Sequence, residues 1–278
     1  MIVSSTNYQD ARVLIWGKTY PELSSKYLET VCTGGVFEDG TPARLYPISL
    51  RYLEGEEQFS KYQWITVRLK RNPQDGRPES YKVDRVAPII VGEKIPSTAD
   101  EWGKRADVMF KDSSWIFDSV EDLQKAERET GRSLGVVEPK EILKVTMRPR
   151  PDSDAASFAE KLERLKRENE AARSQLKLFE DAIPEEMRKL EFVTERVQIE
   201  WLCHGSECKG HKMQVLDWEA GEMLRRVGSE KTLQRVQEVC DLSKYALKFF
   251  LGNLAQHPTS FMIGGIWYPQ KNKTSRLF

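Results

Sequence analysis

The fold of the N-terminal half is most clearly indicated by the stretch Lys61-Tyr62-Gln63-Trp64-Ile65-Thr66-Val67-Arg68-Leu69-Lys70-Arg71. Its side chains alternate in character, which is typical of a β-strand. Ile65, Val67 and Leu69 form one face, which is suited to a hydrophobic core. The other face presents Tyr62, Trp64, Thr66, Arg68 and Lys70. We therefore predict a strand over Tyr62–Lys70 whose two sides face different environments.

Residues 8–95 around this stretch are rich in β-branched and aromatic residues, which are interrupted by Gly, Pro and Asp. The predicted strands are Arg12–Trp16, Leu28–Cys32, Ala43–Tyr46, Tyr62–Lys70 and Tyr81–Ile90. An Asp-Gly step in the segment Asn72–Pro78 favours a hairpin loop before the last of them. Five short strands predict a small β-barrel or sandwich, an architecture that oligonucleotide-binding folds also use. With the helices predicted downstream, the chain belongs to the α+β class.

A local excess of basic residues surrounds the predicted strand, although the whole chain has 43 Lys+Arg against 43 Asp+Glu. Residues 61–90 contain seven basic and three acidic side chains, a net charge of +4. Overall neutrality excludes a uniformly basic coat but not a basic face. Aromatic rings that stack on bases beside cations that contact phosphates predict a nucleic-acid (DNA or RNA) platform. Its residues would be Arg44, Arg51, Lys61, Tyr62, Trp64, Arg68, Lys70 and Arg71. The alternative is that the two rings pack under another part of the chain.

Residues 96–151 form a mixed linker region with a short helix that Asp118 and Ser119 can cap and Gly131 can end. Residues 152–190 then form a charged helical segment. Its heptad seam consists of Phe158, Leu162, Leu165, Asn169, Ala172, Leu176 and Phe179. This pattern predicts a coiled-coil homodimer through residues 158–179, in which Asn169 pairs with its symmetry mate. The alternative is that the helix packs on its own chain.

Residues 191–278 form a mixed α/β region that contains a cluster of metal-binding residue types. Cys203-His204-Gly205-Ser206-Glu207-Cys208-Lys209-Gly210-His211 holds two of the four cysteines and two of the three histidines of the chain. Thiolate and imidazole are ligands that zinc prefers, and a loop between two strands can fold back on itself. The Cys-x4-Cys-x2-His spacing therefore predicts a zinc knuckle at Cys203, Cys208 and His211. The alternative is that no metal is bound, Cys203 is a buried strand residue and the rest of the loop is solvated.

The fourth ligand of this knuckle is not evident from the spacing. His204, Cys240, His257 and Asp217 are the candidates. A structural role is favoured over a catalytic one if a metal is bound, since a bound ion would help to fold the loop.

Two carboxylates follow the knuckle, at Asp217 and Glu219. On a strand they would share one face, where they could act as a general acid/base pair or bind a divalent ion, as a metal-dependent nuclease requires. The more ordinary reading is that Asp217 caps the next helix and Glu219 lies in its first turn. The chain contains no Walker loop, Rossmann glycine fingerprint, Gly-x-Ser-x-Gly elbow or His-Glu-x-x-His helix to favour an enzyme.

The cysteine usage and the absence of an 18-residue apolar run predict a cytoplasmic protein that does not enter a membrane. Five segments resemble those of an uncharacterised bacterial protein family: Glu29–Gly35, Arg44–Leu53, Gly76–Tyr81, Cys203–Glu219 and Phe249–Asn253. The resemblance implies a bacterial, cytoplasmic setting and transfers no activity. We predict a metal-stabilised, non-enzymatic nucleic-acid-binding protein. The alternatives are a metal-dependent nuclease or other hydrolase acting on nucleic acid or nucleotides through Asp217 and Glu219, and a protein–protein adaptor.

Overall fold

The computed structural model describes residues 7–24, 28–53, 55–98, 101–175 and 188–271. It shows a mixed α+β protein with a β-barrel at the N-terminal end and two open sheets with four helices after it. No helix in these described ranges combines the length and the apolarity that crossing a bilayer requires.

The N-terminal part is a five-stranded barrel with two additional strands. Its strands are β1 Gln9–Lys18, β2 Glu22–Ser24, β3 Leu28–Phe37, β4 Pro42–Ile48, β5 Gln63–Arg71, β6 Ser80–Val83 and β7 Ile90–Lys94. The ring runs β1-β3-β4-β6-β5 and closes because β5 also pairs with β1. Strand β4 pairs with β6 in parallel, and the other ring pairs are antiparallel. Strands β2 and β7 extend β3 and β5.

The barrel interior is filled by the apolar face predicted from the sequence. Ile65, Val67 and Leu69 of β5 are almost completely buried there. The loop with the Asp-Gly step joins β5 to β6 as an antiparallel pair, which confirms the predicted hairpin. The predicted strand Tyr81–Ile90 is wrong as one element, since β6 ends at Val83 and β7 begins at Ile90. Pro88 lies in this gap and has no N–H to continue a ladder.

The remaining strands form two sheets. They are β8 Ile116–Phe117, β9 Leu134–Val137, β10 Glu141–Pro149, β11 Glu195–Leu202, β12 His211–Gln214, β13 Lys248–Leu254 and β14 His257–Trp267. One sheet has the order β14-β13-β9-β8 and the other has the order β10-β11-β12. The helices are α1 Glu101–Met109, α2 Val120–Thr130, α3 Asp152–Gln175 and α4 Trp218–Val239. Strands β8, β9 and β13 were not predicted from the sequence.

The four-stranded sheet and α1 cover one outer side of the barrel. Trp16 of the barrel stacks on Phe250 of β13, with ring centroids 4.8 Å apart, and Trp115 lies in the same apolar layer. Tyr62 and Trp64 also belong to this layer and are 7% and 6% exposed. Strand β5 is thus covered on both faces, one by the barrel interior and the other by the second half of the chain.

Helices α2 and α4 begin and end where local sequence signals place them. Ser119 caps α2 by accepting a hydrogen bond from the Asp122 N–H, and Gly131 ends it in the left-handed conformation, as predicted. For the region after Asp217, the sequence predicts two helices, over Ala220–Val227 and Lys231–Cys240. The structure confirms this, because α4 consists of two helical stretches separated at Gly228, whose φ of 82° and ψ of 178° are not helical.

The seam of α3 packs against its own chain through its first half. Leu165 lies in a small apolar cluster with Leu23 and Leu190, and Phe158 and Leu162 pack against that cluster. These side chains therefore have intrachain neighbours, as the alternative interpretation expects. Leu176 and Phe179 lie outside the described residues, and homodimerisation through residues 158–179 stays a prediction.

Candidate metal centre

The β11–β12 hairpin brings the three predicted ligands together. Strand β11 ends at Leu202, directly before Cys203, and β12 begins at His211, which pairs with Trp201 in the ladder. The connecting loop turns back at Gly205, whose carbonyl accepts a 3.2 Å hydrogen bond from the Cys208 N–H. The Cys208 Sγ in turn accepts a 3.3 Å hydrogen bond from the Cys203 N–H. These two hydrogen bonds, one to a carbonyl and one to a sulfur, fold the loop as a knuckle.

The fourth residue of the cluster is Glu121, on the first turn of α2. One ligand atom from each of Glu121, Cys203, Cys208 and His211 lies within 4.8 Å of every other. The His211 Nε2 is 3.2 Å from each of the two sulfurs. The Cys203 Sγ is 3.4 Å from the Glu121 Oε2, and the His211 Nε2 is 3.7 Å from the Glu121 Oε1. Ligands of a tetrahedral zinc ion lie about 3.3–3.8 Å from one another, given bonds of roughly 2.0–2.3 Å.

Glu121 reaches the knuckle because the start of α2 is fixed in place. Val120 and Leu123 anchor the helix in the core that also contains Cys203. Gly205 lies so close to the helix cap that a Cβ on it would be 2.8 Å from the Ser119 Cβ. The knuckle and the helix N-terminus therefore pack directly on each other. Glu121 lies 82 positions from Cys203 in the chain, and no local spacing connects the two.

The electrostatic environment of the cluster differs from one ligand to the next. Burial raises the pKa of the Cys203 thiol to about 11 and lowers the pKa of the His211 imidazole. His211 is 11% exposed, whereas Glu121 is 45% exposed. The cluster therefore has a buried side formed by Cys203 and His211 and a solvent-facing side formed by Glu121. Among the described residues, no other group of three or more His, Cys, Asp or Glu side chains places its ligand atoms this close together.

None of the four predicted candidates for the fourth ligand belongs to this group. Cys240 lies in the apolar core near the end of α4, where burial raises the pKa of its thiol to about 12. His257 begins β14 and is exposed, and His204 is exposed in the loop. Asp217 is engaged elsewhere. These four candidates therefore lie outside the converging group, whose fourth member is Glu121.

Asp217 and Glu219, the candidate catalytic pair, form ion pairs with a lysine of the barrel. The Lys61 Nζ donates a short hydrogen bond to the Asp217 carboxylate and lies 3.0 Å from the Glu219 Oε2. Burial alone would lower the pKa of Lys61, but the two carboxylates raise it above its ordinary value. Asp217 also caps α4 by accepting a 2.7 Å hydrogen bond from the Glu219 N–H. The capping interpretation is thus confirmed, and Lys61 is their cationic partner.

The predicted nucleic-acid platform does not form one exposed face. Tyr62 and Trp64 are buried against the second half of the chain, so their rings are not available to stack on bases, and the predicted exposure of both was wrong. Arg44 is also buried, and it donates to the Ser133 carbonyl at 3.1 Å. Lys61 is bound to Asp217 as described above.

The other four platform residues have separate local partners. Arg51 lies 3.4 Å from the Glu29 carboxylate, and Arg71 donates to the Pro78 carbonyl. Arg68 is 52% exposed and lies 3.6 Å from Asp84. The Lys70 Nζ lies 4.7 Å from the Tyr8 ring centroid. Arg68 keeps an exposed cation on β5, but the aromatic part of the platform is absent from this surface.

Comparison with known protein families gives two successive matches along the chain. Residues 9–111 match a domain of unknown function, DUF8758, and residues 116–278 match a second domain of unknown function, DUF8757. The division between them lies between α1 and β8, so that Glu121 and the knuckle fall within the same matched region. No curated protein matched the chain.

Proposed function

The chain belongs to the DUF8757 family, a domain of unknown function. From the geometry of the cluster, we propose that the protein binds one structural divalent cation in its C-terminal half. The ligands are Glu121, Cys203, Cys208 and His211. The observation that carries the proposal is the convergence of their four ligand atoms within 4.8 Å of one another.

Zinc is the cation that this donor set fits best. Two thiolates and one imidazole are soft and borderline ligands, which select zinc over magnesium or calcium. A carboxylate oxygen is the remaining donor type that zinc accepts. Four of the six ligand pairs lie 3.2–3.7 Å apart, close to the edges of a tetrahedron around zinc, and all ligand atoms lie within 4.8 Å of one another.

A structural role follows from the number and the origin of the ligands. Four protein ligands fill a tetrahedral coordination sphere, whereas a catalytic zinc keeps one position for water. Cys203 extends from β11, Cys208 lies in the loop, His211 begins β12 and Glu121 belongs to α2. An ion held by these four residues would tie the three-stranded sheet to α2. Its binding energy would therefore stabilise the C-terminal half.

Metal content of the purified full chain tests this proposal directly. We expect about one zinc ion per chain by elemental analysis, and intense thiolate charge-transfer bands after cobalt(II) replaces zinc. Cys208→Ser should lower zinc occupancy by at least 10-fold. Cys240→Ala is the matched control, since Cys240 is also a cysteine of the same core but lies outside the cluster.

The contribution of Glu121 is tested on the same helix. Glu121→Gln should weaken zinc binding about 10-fold or more, because a neutral amide oxygen replaces the carboxylate and is a much poorer zinc ligand. Glu129→Gln is the control, because Glu129 lies on α2, is 61% exposed and lies 4.0 Å from Lys125 rather than from the cluster. Metal-free purified protein that also fails to bind added zinc would overturn the proposal. Equal zinc affinity in the Glu121 and Glu129 variants would remove Glu121 from the ligand set.

The finer roles predicted from the sequence stay predictions. The enzymatic alternative loses its main support, since Lys61 binds both Asp217 and Glu219. Nucleic-acid binding loses the aromatic platform, because Tyr62 and Trp64 are buried. The adaptor role, the homodimer, the cytoplasmic setting and the bacterial origin rest on the sequence patterns alone.

A further inference from the structure

A second site is indicated by a cavity between the barrel and the C-terminal half, in a region that the proposed metal centre does not use. Its volume is about 330 Å³. The lining residues are Lys18, Leu50, Arg51, Gln58, Phe59, Arg188 and Trp218. Three of the seven are cations and none is an acid. An array of cations without acids in a concave site favours binding of an anion.

Lys18 is the most unusual of these residues. It is only 7% exposed, and its Nζ donates a 3.0 Å hydrogen bond to the Phe59 carbonyl. Within the described part of the chain, no carboxylate lies within 4.0 Å of this Nζ. The nearby Phe59 and Trp218 ring centroids lie 5.3 Å and 6.0 Å from it. Burial lowers the pKa of Lys18 to about 8. A cation in such a position lacks the anion that would offset its desolvation.

The two arginines of the lining are held by hydrogen bonds to backbone carbonyls. Arg51 donates a 2.5 Å hydrogen bond to the Lys189 carbonyl, and Arg188 donates to the Arg51 carbonyl. Glu29 is the carboxylate that pairs with Arg51, at 3.4 Å. Asp217 and Glu219 influence Lys18 from a distance, but both are already bound by Lys61. Among the described residues, Lys18 is thus the cation of this cavity that no carboxylate contacts within 4.0 Å, and Arg51 and Arg188 add positive charge to the same lining.

We propose that this cavity binds the phosphate group of a small phosphorylated molecule. Lys18, Arg51 and Arg188 contact the phosphate oxygens, and the rest of the ligand lies against Leu50, Phe59 and Trp218. A phosphate ester carries nearly two negative charges and three strong acceptor oxygens, which match three cations better than one carboxylate does. The volume lies at the small end of ligand pockets, which indicates a small molecule rather than a polymer.

Binding of adenosine monophosphate to the full chain tests this site by calorimetry. Inorganic phosphate serves as the probe for the anion alone, and adenosine serves as the uncharged counterpart of the nucleotide. We expect adenosine monophosphate to bind, inorganic phosphate to bind more weakly and to compete with it, and adenosine to bind at least 10-fold more weakly than the nucleotide.

Two substitutions connect this binding to the cavity. Lys18→Met should weaken nucleotide binding at least 10-fold because it removes the buried cation. Gln58→Glu should weaken binding by at least as much, because it adds a negative charge to the wall at an exposed position; circular dichroism checks that loss of the hydrogen bond from Gln58 to the Leu53 carbonyl leaves the fold intact. Lys104→Met is the matched control: Lys104 is 68% exposed on α1 and does not line the cavity.

The proposal is overturned if neither the nucleotide nor inorganic phosphate binds to the native chain. Equal binding of adenosine and its monophosphate would also overturn it, since the ring alone would then account for the affinity. Unchanged affinity in Gln58→Glu, with the far-ultraviolet circular dichroism of the native chain, would place the bound anion elsewhere.

Discussion

Two clusters that contain carboxylates differ in the source of their positive charge. In the cluster of Lys61, Asp217 and Glu219, the protein supplies the cation itself, and it lies 3.0 Å from the Glu219 carboxylate. In the cluster of Glu121, Cys203, Cys208 and His211, the described residues provide donors but no lysine or arginine in ion-pair contact. The comparison teaches that a group of metal-ligand side chains indicates a metal site only where no lysine or arginine of the chain already pairs with it. The following predictions test this difference.

Removal of the metal should have the largest effect. If the ligand cluster depends on an external cation, chelation should lower the free energy of unfolding by more than about 5 kcal/mol, as for structural zinc sites. The measurement is thermal or urea denaturation with and without chelator. Added zinc should restore the native transition. Equal free energies of unfolding with and without chelator would mean that the knuckle, like the Lys61 cluster, is stable without a bound metal ion.

Loss of the internal cation should come next. Lys61→Met leaves Asp217 buried without its partner, which should cost roughly 3–5 kcal/mol in unfolding free energy. Urea denaturation measures this loss. The double variant with Asp217→Asn should recover part of it, because the uncompensated charge is then removed.

The control for Lys61 is an exposed ion pair. Lys212 is 47% exposed and lies 2.7 Å from Glu200, so Lys212→Met should change stability by no more than about 1 kcal/mol. Equal losses for the two lysine variants would contradict the view that Lys61 is an obligatory partner. Zinc occupancy should remain unchanged in Lys61→Met, which separates the two clusters.

Local sequence patterns predicted the parts of the metal centre that are close in the chain. The nine residues from Cys203 to His211 contain three of the four candidate ligands, and a β-hairpin is sufficient to bring them together. Glu121 could not be found in this way, because its position depends on how α2 packs on the loop at Gly205. The sequence does predict helix α2 and shows Glu121 in its first turn, but no spacing in the sequence connects this residue with the knuckle.

The same limit explains the error about the barrel surface. Alternation along β5 correctly assigned Ile65, Val67 and Leu69 to the barrel interior. It does not reveal whether a second sheet covers the other face, and in this protein one does, over Tyr62 and Trp64. Aromatic side chains on the outer face of a small barrel are therefore equally consistent with a surface that another part of the chain covers and with a surface that binds a ligand.

Lys18 sharpens the comparison because it is a buried lysine without the close carboxylates of Lys61. Its folded-state pKa of about 8 lies below its ordinary value of 10.5, chiefly through burial. The unfolded state therefore binds more protons between these two values, and stability gains from Lys18 as the pH rises through this window. The free energy of unfolding of Lys18→Met minus that of the native chain should therefore be about 2–3 kcal/mol larger at pH 7 than at pH 10.

Urea denaturation of both proteins at the two pH values measures this difference. Other titrating groups are common to both chains and largely cancel in the comparison. If the stability difference between the two chains did not change with pH, Lys18 would not carry a desolvated charge. A change of opposite sign would mean that Lys18 has a carboxylate partner, as Lys61 does.

The smallest effect concerns the cap that positions Glu121. The Ser119 hydroxyl accepts a 3.0 Å hydrogen bond from the Asp122 N–H, and Ser119→Ala should cost about 1 kcal/mol in stability. Because Glu121 lies in the turn that this cap fixes, zinc affinity should fall a few-fold as well. Asp112→Ala is the matched control, since Asp112 caps the short helix Ser113–Trp115 through the Ser114 N–H at 2.8 Å. It should lower stability without changing zinc affinity. Equal zinc affinity in the two variants would show that Glu121 reaches the ion without help from the cap.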